Sequence, residues 1–201
     1  MKVINLLGHD FNRACQSLAL KVGETYHPDI LIGILTGGGY IGREMYKFLR
    51  DFNDEVTYTE IKLQRGSTKA KEASHLKSIL NLLPQKVLDF LRILEVEFLE
   101  IKAKIVKPNR YGTIAFPENI ILQLSQGKRK ILLVDDCIDT GYTLKIIKEY
   151  IENKYPNNII KIAVVTTAHR HPVINADFQL YKRVLIRFPW AYDTKKKSSC
   201  R

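Results

Sequence analysis

The chain has no run of about 18 apolar residues, the length that a membrane-crossing helix needs, so no segment reads as a span. Its first residues, MKVINLLGHDFNRAC, hold an apolar stretch too short for a secretory signal. Cysteine is scarce. Cys15, Cys137 and Cys200 are odd in number, far apart, and lack the C-x-x-C spacing of zinc or dithiol chemistry. They are expected as free thiols in a reducing compartment, which places the chain in the cytoplasm. Internal repeats and long low-complexity segments are also missing, so the chain is not read as an array of small units.

What is present fits one ordinary domain with room for a small appendage. A chain of 201 residues buries roughly 70% of its unfolded surface and needs no staple. The composition, 45% hydrophobic and 26% charged, is that of a globular protein. The net charge of +11, from 32 Lys and Arg against 21 Asp and Glu, favours anionic partners. Its sign does not choose among phosphorylated metabolites, nucleic acid and a membrane surface. Part of the excess is local, in GKRK (127–130) and in the tail KKKSSCR (195–201), which reads as a solvated end.

Apolar residues at helical spacing (Phe11, Ala14, Cys15, Leu18, Val22) predict a helix over 10–26, closed by His27-Pro28-Asp29. ILIGIL (30–35) is continuous and β-branched, the mark of a strand covered on both faces. It runs into TGGG (36–39) and then a helical period in YIGREMYKFLRDF. EVTYTEIKL (55–63), RKILLVDDC (129–137) and IIKIAVVTTA (159–168) read as further strands, and RVLIRF (183–188) as a fifth. Strands alternating with helices predict an α/β fold with a mainly parallel sheet flanked by helices. In such a sheet ligands gather at the carboxyl ends of the strands. The stretch 66–126 breaks the rhythm: SHLKSILNLL, then Pro84, then a long pattern with apolar residues every three or four positions. It is expected as an inserted helical segment in a single domain, serving as a lid, a partner surface or both.

The sharpest feature is ILLVDDCIDTGYTL (131–144). An apolar strand ends in two carboxylates, Asp135 and Asp136, and then turns through Asp-Thr-Gly-Tyr-Thr into a helix. Such a turn offers backbone N–H groups and the Thr140 and Thr143 hydroxyls at a helix N-terminus, a ready phosphate site. Two carboxylates beside a phosphate nest suit a sugar phosphate. Taken singly, the acids also fit helix capping, and Gly141 also fits a plain turn. The whole string reads as a site.

VDDCIDTGYT resembles the phosphoribosyl-pyrophosphate signature of the type I phosphoribosyltransferases. HPDILIGILTGGGYIGREMYKFL resembles that family's first strand and pyrophosphate loop. ADFQLYKRVLIRFPW resembles the carboxyl-terminal part of its purine-type branch, the hypoxanthine-guanine-xanthine-like enzymes. The resemblance implies transfer of ribose 5-phosphate from phosphoribosyl pyrophosphate to a nitrogenous base, with Mg2+ on the pyrophosphate and a homo-oligomer, a dimer, as the working form. It implies Asp135 and Asp136 on the ribose hydroxyls or the metal, and Asp139 facing the base. Thr140, Gly141, Tyr142 and Thr143 would cradle the 5-phosphate, and Thr36, Gly37 and Gly38 would meet the pyrophosphate. Ala168, His169, Leu185 and Ile186 fall where the base is read.

Three departures stand out. Thr36 occupies a place where relatives commonly carry a basic residue, leaving Arg43, Arg65 or Lys69 to supply charge. Ala168 falls where purine-type enzymes place a lysine against the exocyclic oxygen of the base, with His169 and Arg170 next to it. Leu185 aligns with their stacking aromatic. RGSTKAK (65–71) lies where relatives carry a mobile loop, and a plain solvated loop fits it equally. Phe188 and Trp190 read as packing or rim, and His169 with His171 as a poor metal pair. Two other functions fit the same residues. One is a sensor of phosphoribosyl pyrophosphate or nucleotide that binds nucleic acid through its positive charge; the other is a scaffold using the 66–126 helices. An intact set of signature carboxylates favours turnover.

Overall fold

The computed structural model of the chain describes residues 1–65, 84, 87–91, 93–94 and 112–191. In chain order the elements are β1 (Lys2–Asn5), α1 (His9–Gly23), β2 (Ile30–Ile34), α2 (Gly37–Leu49), β3 (Thr57–Ile61), β4 (Gln64–Arg65) and β5 (Gly112–Thr113). They continue with α3 (Glu118–Gln126), β6 (Lys130–Ile138), α4 (Tyr142–Lys154), β7 (Ile159–Thr167), β8 (Phe178–Lys182) and β9 (Val184–Arg187).

Five strands form a parallel sheet in the order β3-β2-β6-β7-β8. Every residue of β2 is buried, as its unbroken apolar run requires of a strand covered on both sides. Side chains alternate between two cores. Leu31, Leu132, Val134, Ala163 and Val165 meet α1 and α2 on one face. Ile30, Ile32, Ile131, Leu133, Ile162 and Val164 meet α3 and α4 on the other. Each fully buried Leu or Ile side chain in these layers stabilises the fold by about 1.5–3 kcal/mol.

Four of the expected strands take their places as β2, β3, β6 and β7. The fifth is a correction. RVLIRF forms β9 outside the main sheet, in a two-stranded parallel pair with β1 that runs from Lys2↔Val184 to Asn5↔Arg187. The edge of the main sheet is instead β8. Arg183, at φ 61, breaks the chain between them and sends β9 elsewhere.

Most of 66–126 lies outside the described residues, so the inserted segment is not described as a whole. Its described parts divide. Residues 87–91 and 93–94 are helical. At the other end β5 pairs antiparallel with β4, Gln64↔Thr113 and Arg65↔Gly112, so the chain leaves and rejoins the domain side by side. Helix α3 belongs to the main fold, since Ile120 and Leu124 are fully buried against the sheet. The helical part is fastened by a buried charge: the Arg187 guanidinium, with 3% of its side chain exposed, donates to Asp89 Oδ1 and to Asn5 Oδ1, both at 2.6 Å.

Among the described residues no helix is long and apolar enough to cross a membrane. Cys15 is wholly buried in α1. Burial first, and the negative charge of Glu44 second, push its thiol up to about 12. The folded value lies above that of an unfolded thiol, so this contribution to stability is complete below about pH 8.5 and is lost as pH climbs towards the folded value. At pH 8 Cys15 in the native chain is therefore expected to resist a thiol reagent and to react fully in urea. Peptide mapping checks this; native labelling as fast as in urea would refute it.

Candidate active site

Strands β2 and β6 lie side by side, but their connections diverge. The chain leaves β2 through α2 towards β3, and leaves β6 through α4 towards β7. The two helices lie on opposite faces of the sheet. This is a topological switch point, where an open parallel sheet forms a crevice at the carboxyl ends of its strands. The expected sugar-phosphate residues all come from its two rims: Thr36, Gly37 and Gly38 after β2, and Asp135 to Thr143 from the end of β6 to the first turn of α4.

The two rims touch. A side-chain carbon at Gly38 would stand 2.2 Å from the Val134 carbonyl oxygen and 2.8 Å from Asp135 Cα; one at Gly37 would stand 2.1 Å from Asp136 Oδ2. Only glycine permits this approach, which explains why poor helix formers open α2. The Leu35–Thr36 peptide just before it is cis. Neither α2, whose N-cap is Thr36, nor α4, whose N-cap is Gly141 at φ 82, has a side-chain cap bond. Two helix N-termini thus present backbone N–H groups beside the acid pair, a setting that favours phosphate groups.

The acids are held and half-buried. Asp135 Oδ1 accepts the Asp136 N–H at 2.9 Å, and its carboxylate also accepts from the Gly38 backbone. Desolvation, followed by the neighbouring Asp136 charge, still raises Asp135 well above the usual carboxylate range. Asp136 is raised as well, by desolvation, which hydrogen bonds from Asp135, Trp190 and Cys137 only partly offset. Among the described residues no lysine or arginine pairs with either acid. An incoming cation would supply the partner the pair lacks and favour its ionised form. Hard carboxylate oxygens fit Mg2+, which commonly takes one or two carboxylates and completes its shell with water and substrate phosphates. No group of three or more candidate ligands gathers among the described residues. Asp139 is exposed on the turn, and Thr140, Tyr142 and Thr143 are half-buried beyond it. Thr140 O accepts the Val173 N–H at 3.0 Å, which ties the loop after β7 to this turn.

The base-side residues are more scattered. Ala168 is buried at the end of β7; its N–H donates to Ile138 O at 2.9 Å and its carbonyl accepts from Arg183 Nη1 at 2.8 Å. An arginine thus reaches the strand end where the family resemblance expected a lysine, a residue that reading the sequence missed. His169 is buried beside it. Its Nδ1 accepts the His171 N–H at 3.1 Å, while Nε2 and the nearby Thr167 Oγ1 are buried without a partner among the described residues. Leu185 is buried on β9 outside both cores. Ile186, expected at the base, packs its side chain into the core of α1 and α2.

The charge candidates fare differently. Arg43 is exposed and engaged by Glu60 at 2.6 Å, and Glu60 also accepts from Tyr58 at 2.7 Å. The Arg65 side chain and Lys69 lie outside the described residues, as do 66–71 of the RGSTKAK loop and the basic tail. Phe188 is core, as expected. Trp190 does more than pack, for its indole N–H donates to Asp136 Oδ2 at 3.3 Å. A half-buried indole seeks an acceptor, but no local pattern names one 54 residues away.

Residues 6–196 match the phosphoribosyl transferase domain family. Over 104 residues the chain is 33% identical to hypoxanthine-guanine phosphoribosyltransferase of Aquifex aeolicus, a match covering 51% of this chain and 57% of that protein. The chain thus spans little more than half the length of this curated relative. Two solved structures share the fold, each over 94% of both chains. They are purine phosphoribosyltransferase of Pyrococcus horikoshii, with 20% identity and a TM-score of 0.59, and xanthine-guanine-hypoxanthine phosphoribosyltransferase of Helicobacter pylori, with 16% and 0.57. A match that runs from the residue after β1 to beyond the last described residue leaves one conclusion: the chain belongs to the phosphoribosyl transferase domain family.

Proposed function

We propose that the chain transfers ribose 5-phosphate from phosphoribosyl pyrophosphate to a nitrogenous base, a purine by family default, and releases pyrophosphate. The observation that carries this is the acid pair at the end of β6, set between two uncapped helix N-termini at the switch point. The α4 turn holds the 5-phosphate through Thr140, Gly141, Tyr142 and Thr143. The α2 turn holds the leaving pyrophosphate through backbone N–H groups of Thr36, Gly37 and Gly38. Between them the bond from the anomeric carbon to pyrophosphate breaks and a bond to the base nitrogen forms. Asp135 and Asp136 steady the ribose while positive charge develops on it, and fixed charges of this kind act without reorganising. The same two acids would hold Mg2+, which would supply positive charge to the departing pyrophosphate. Asp139 faces the base and stabilises charge there. The reading includes a cytoplasmic location and a dimer.

The acceptor follows from the departures at the base side. A site that reads an exocyclic oxygen with a lysine and stacks the ring on an aromatic rejects analogues lacking that oxygen. Here Ala168 and Leu185 supply neither the donor nor the ring. Pyrophosphate release should be measured with hypoxanthine, guanine, xanthine, adenine, uracil and orotate side by side. Efficiency on hypoxanthine and guanine is expected below about 10⁴ M⁻¹s⁻¹, the lower edge of the ordinary enzyme range, with weak discrimination between them. A value above that on either base would sink this account of Ala168 and Leu185 and leave the transferase reading standing. No release with any base, together with nucleic-acid binding that weakens steeply with salt, would replace it by the sensor.

A further inference from the structure

Trp190 is the one tryptophan of the chain, and it stands where three parts of the site meet. Its ring stacks with Tyr40 of α2 at 4.8 Å and 19°, and with Phe188 just after β9 at 4.8 Å and 2°. It meets Phe11 of α1 edge-on at 5.6 Å and 89°. These contacts fix the plane of the indole, and therefore the direction of its N–H. That N–H donates to Asp136 Oδ2, the same oxygen that would lie 2.1 Å from a side-chain carbon on Gly37. Oδ2 is thus lodged between the glycine turn and the indole, and rotation of the carboxylate about its last bond breaks the hydrogen bond. Packing alone does not require this. A phenylalanine would fill the stack equally well and leave Oδ2 without its donor.

We infer that Trp190 is a positioning residue: it fixes the Asp136 carboxylate in its working orientation and ties that orientation to the α2 turn through Tyr40 and to β9 through Phe188. The inference rests on the proposed role of Asp136 in holding the sugar phosphate. Two consequences follow. Losing the indole donor weakens the handling of phosphoribosyl pyrophosphate and leaves the base untouched. Filling the site changes the surroundings of Nε1, so the emission of the chain's sole tryptophan reports occupancy.

The test compares wild type with Trp190→Phe, which keeps the stacked ring. Calorimetry on wild type with phosphoribosyl pyrophosphate and Mg2+ comes first, and absence of binding would overturn the proposed function and this inference together. With binding present, Trp190→Phe is expected to raise KM for phosphoribosyl pyrophosphate about tenfold to a hundredfold, the worth of one hydrogen bond to a charged group. KM for the base should move less than about twofold, because a residue acting on one ligand leaves the other's binding alone. A purely structural role would instead lower kcat by shrinking the active fraction, with both KM values unchanged. That pattern, or parameters equal to wild type, overturns the inference and spares the proposed function. Should the variant fail to fold, wild-type emission decides: a shift on adding phosphoribosyl pyrophosphate with Mg2+, absent in Asp136→Asn, supports the inference. Unchanged wild-type emission overturns it.

Discussion

A chain carrying Asp135→Asn and Asp136→Asn is expected to lose at least about 10³-fold in turnover and yet to unfold at a higher temperature than wild type. The two effects share one cause. Both carboxylates have folded pKa values raised above the ordinary range, mainly by desolvation and, for Asp135, by its neighbour's charge. A raised carboxylate favours the folded state while protonated. Its contribution is present below the unfolded value near pH 4 and is lost as pH rises through the folded value. At pH 7 the pair therefore strains the fold, and a neutral amide of the same shape removes that strain. A higher unfolding midpoint is therefore expected for the double variant at pH 7. Added Mg2+ with phosphoribosyl pyrophosphate should raise the wild-type midpoint and leave the double variant where it was. A variant that melts lower than wild type, or that keeps its turnover, contradicts this account of the acids.

Gly38→Ala should also abolish most activity, but with the opposite effect on stability. The added carbon meets backbone on β6, the Val134 carbonyl at 2.2 Å and Asp135 Cα at 2.8 Å, and backbone does not swing aside as a long side chain does. Helix α2 must lift from the sheet. Overpacking of this kind costs about 1–3 kcal/mol, a fall on the order of 2–12 °C at about 2–4 °C per kcal/mol in a chain of this size. Because the α2 turn and the acid pair move apart, turnover should fall about 10²-fold or more, as a displacement near 1 Å does in positioned reactions. Thermal melts and initial rates on this one variant check both halves. A melt within one degree of wild type would mean that the two rims are not in contact.

What could be read ahead of the structure follows from how local each signal is. β2 and β6 announce themselves because strands covered on both faces are unbroken apolar runs, and the acid-glycine string after β6 is contiguous in sequence. β8 was not read as a strand. As an edge strand it is only partly covered, with Gln179 and Lys182 among its five residues. β1 is four residues long with both ends exposed, and its partner lies at the far end of the sequence. Arg183 at the end of β7 and Trp190 on Asp136 were missed for the same reason, since each contact joins residues that only the folded topology brings together. Conversely, 118–126 was included in the inserted segment, because nothing local told an inserted helix from α3, which covers the sheet.

The pairing of β1 with β9 also sets an order of events in time. Lys2 is made 182 residues before its partner Val184. At about 5–20 residues per second, β1 waits roughly 10–40 s on a growing chain before β9 exists. Strands β2, β3, β6 and β7 are complete by Thr167 and can pair with one another, β8 following at Phe178–Lys182. The sheet can therefore assemble while the emerging chain still lacks the segment that brings the indole to Asp136. Competence thus waits on β9 and Trp190, and a nascent chain stalled before β9 would hold a formed crevice with its acid unsteadied. A waiting strand with open edges invites pairing with other chains, and the shortness of β1, with a lysine at its start, limits that hazard.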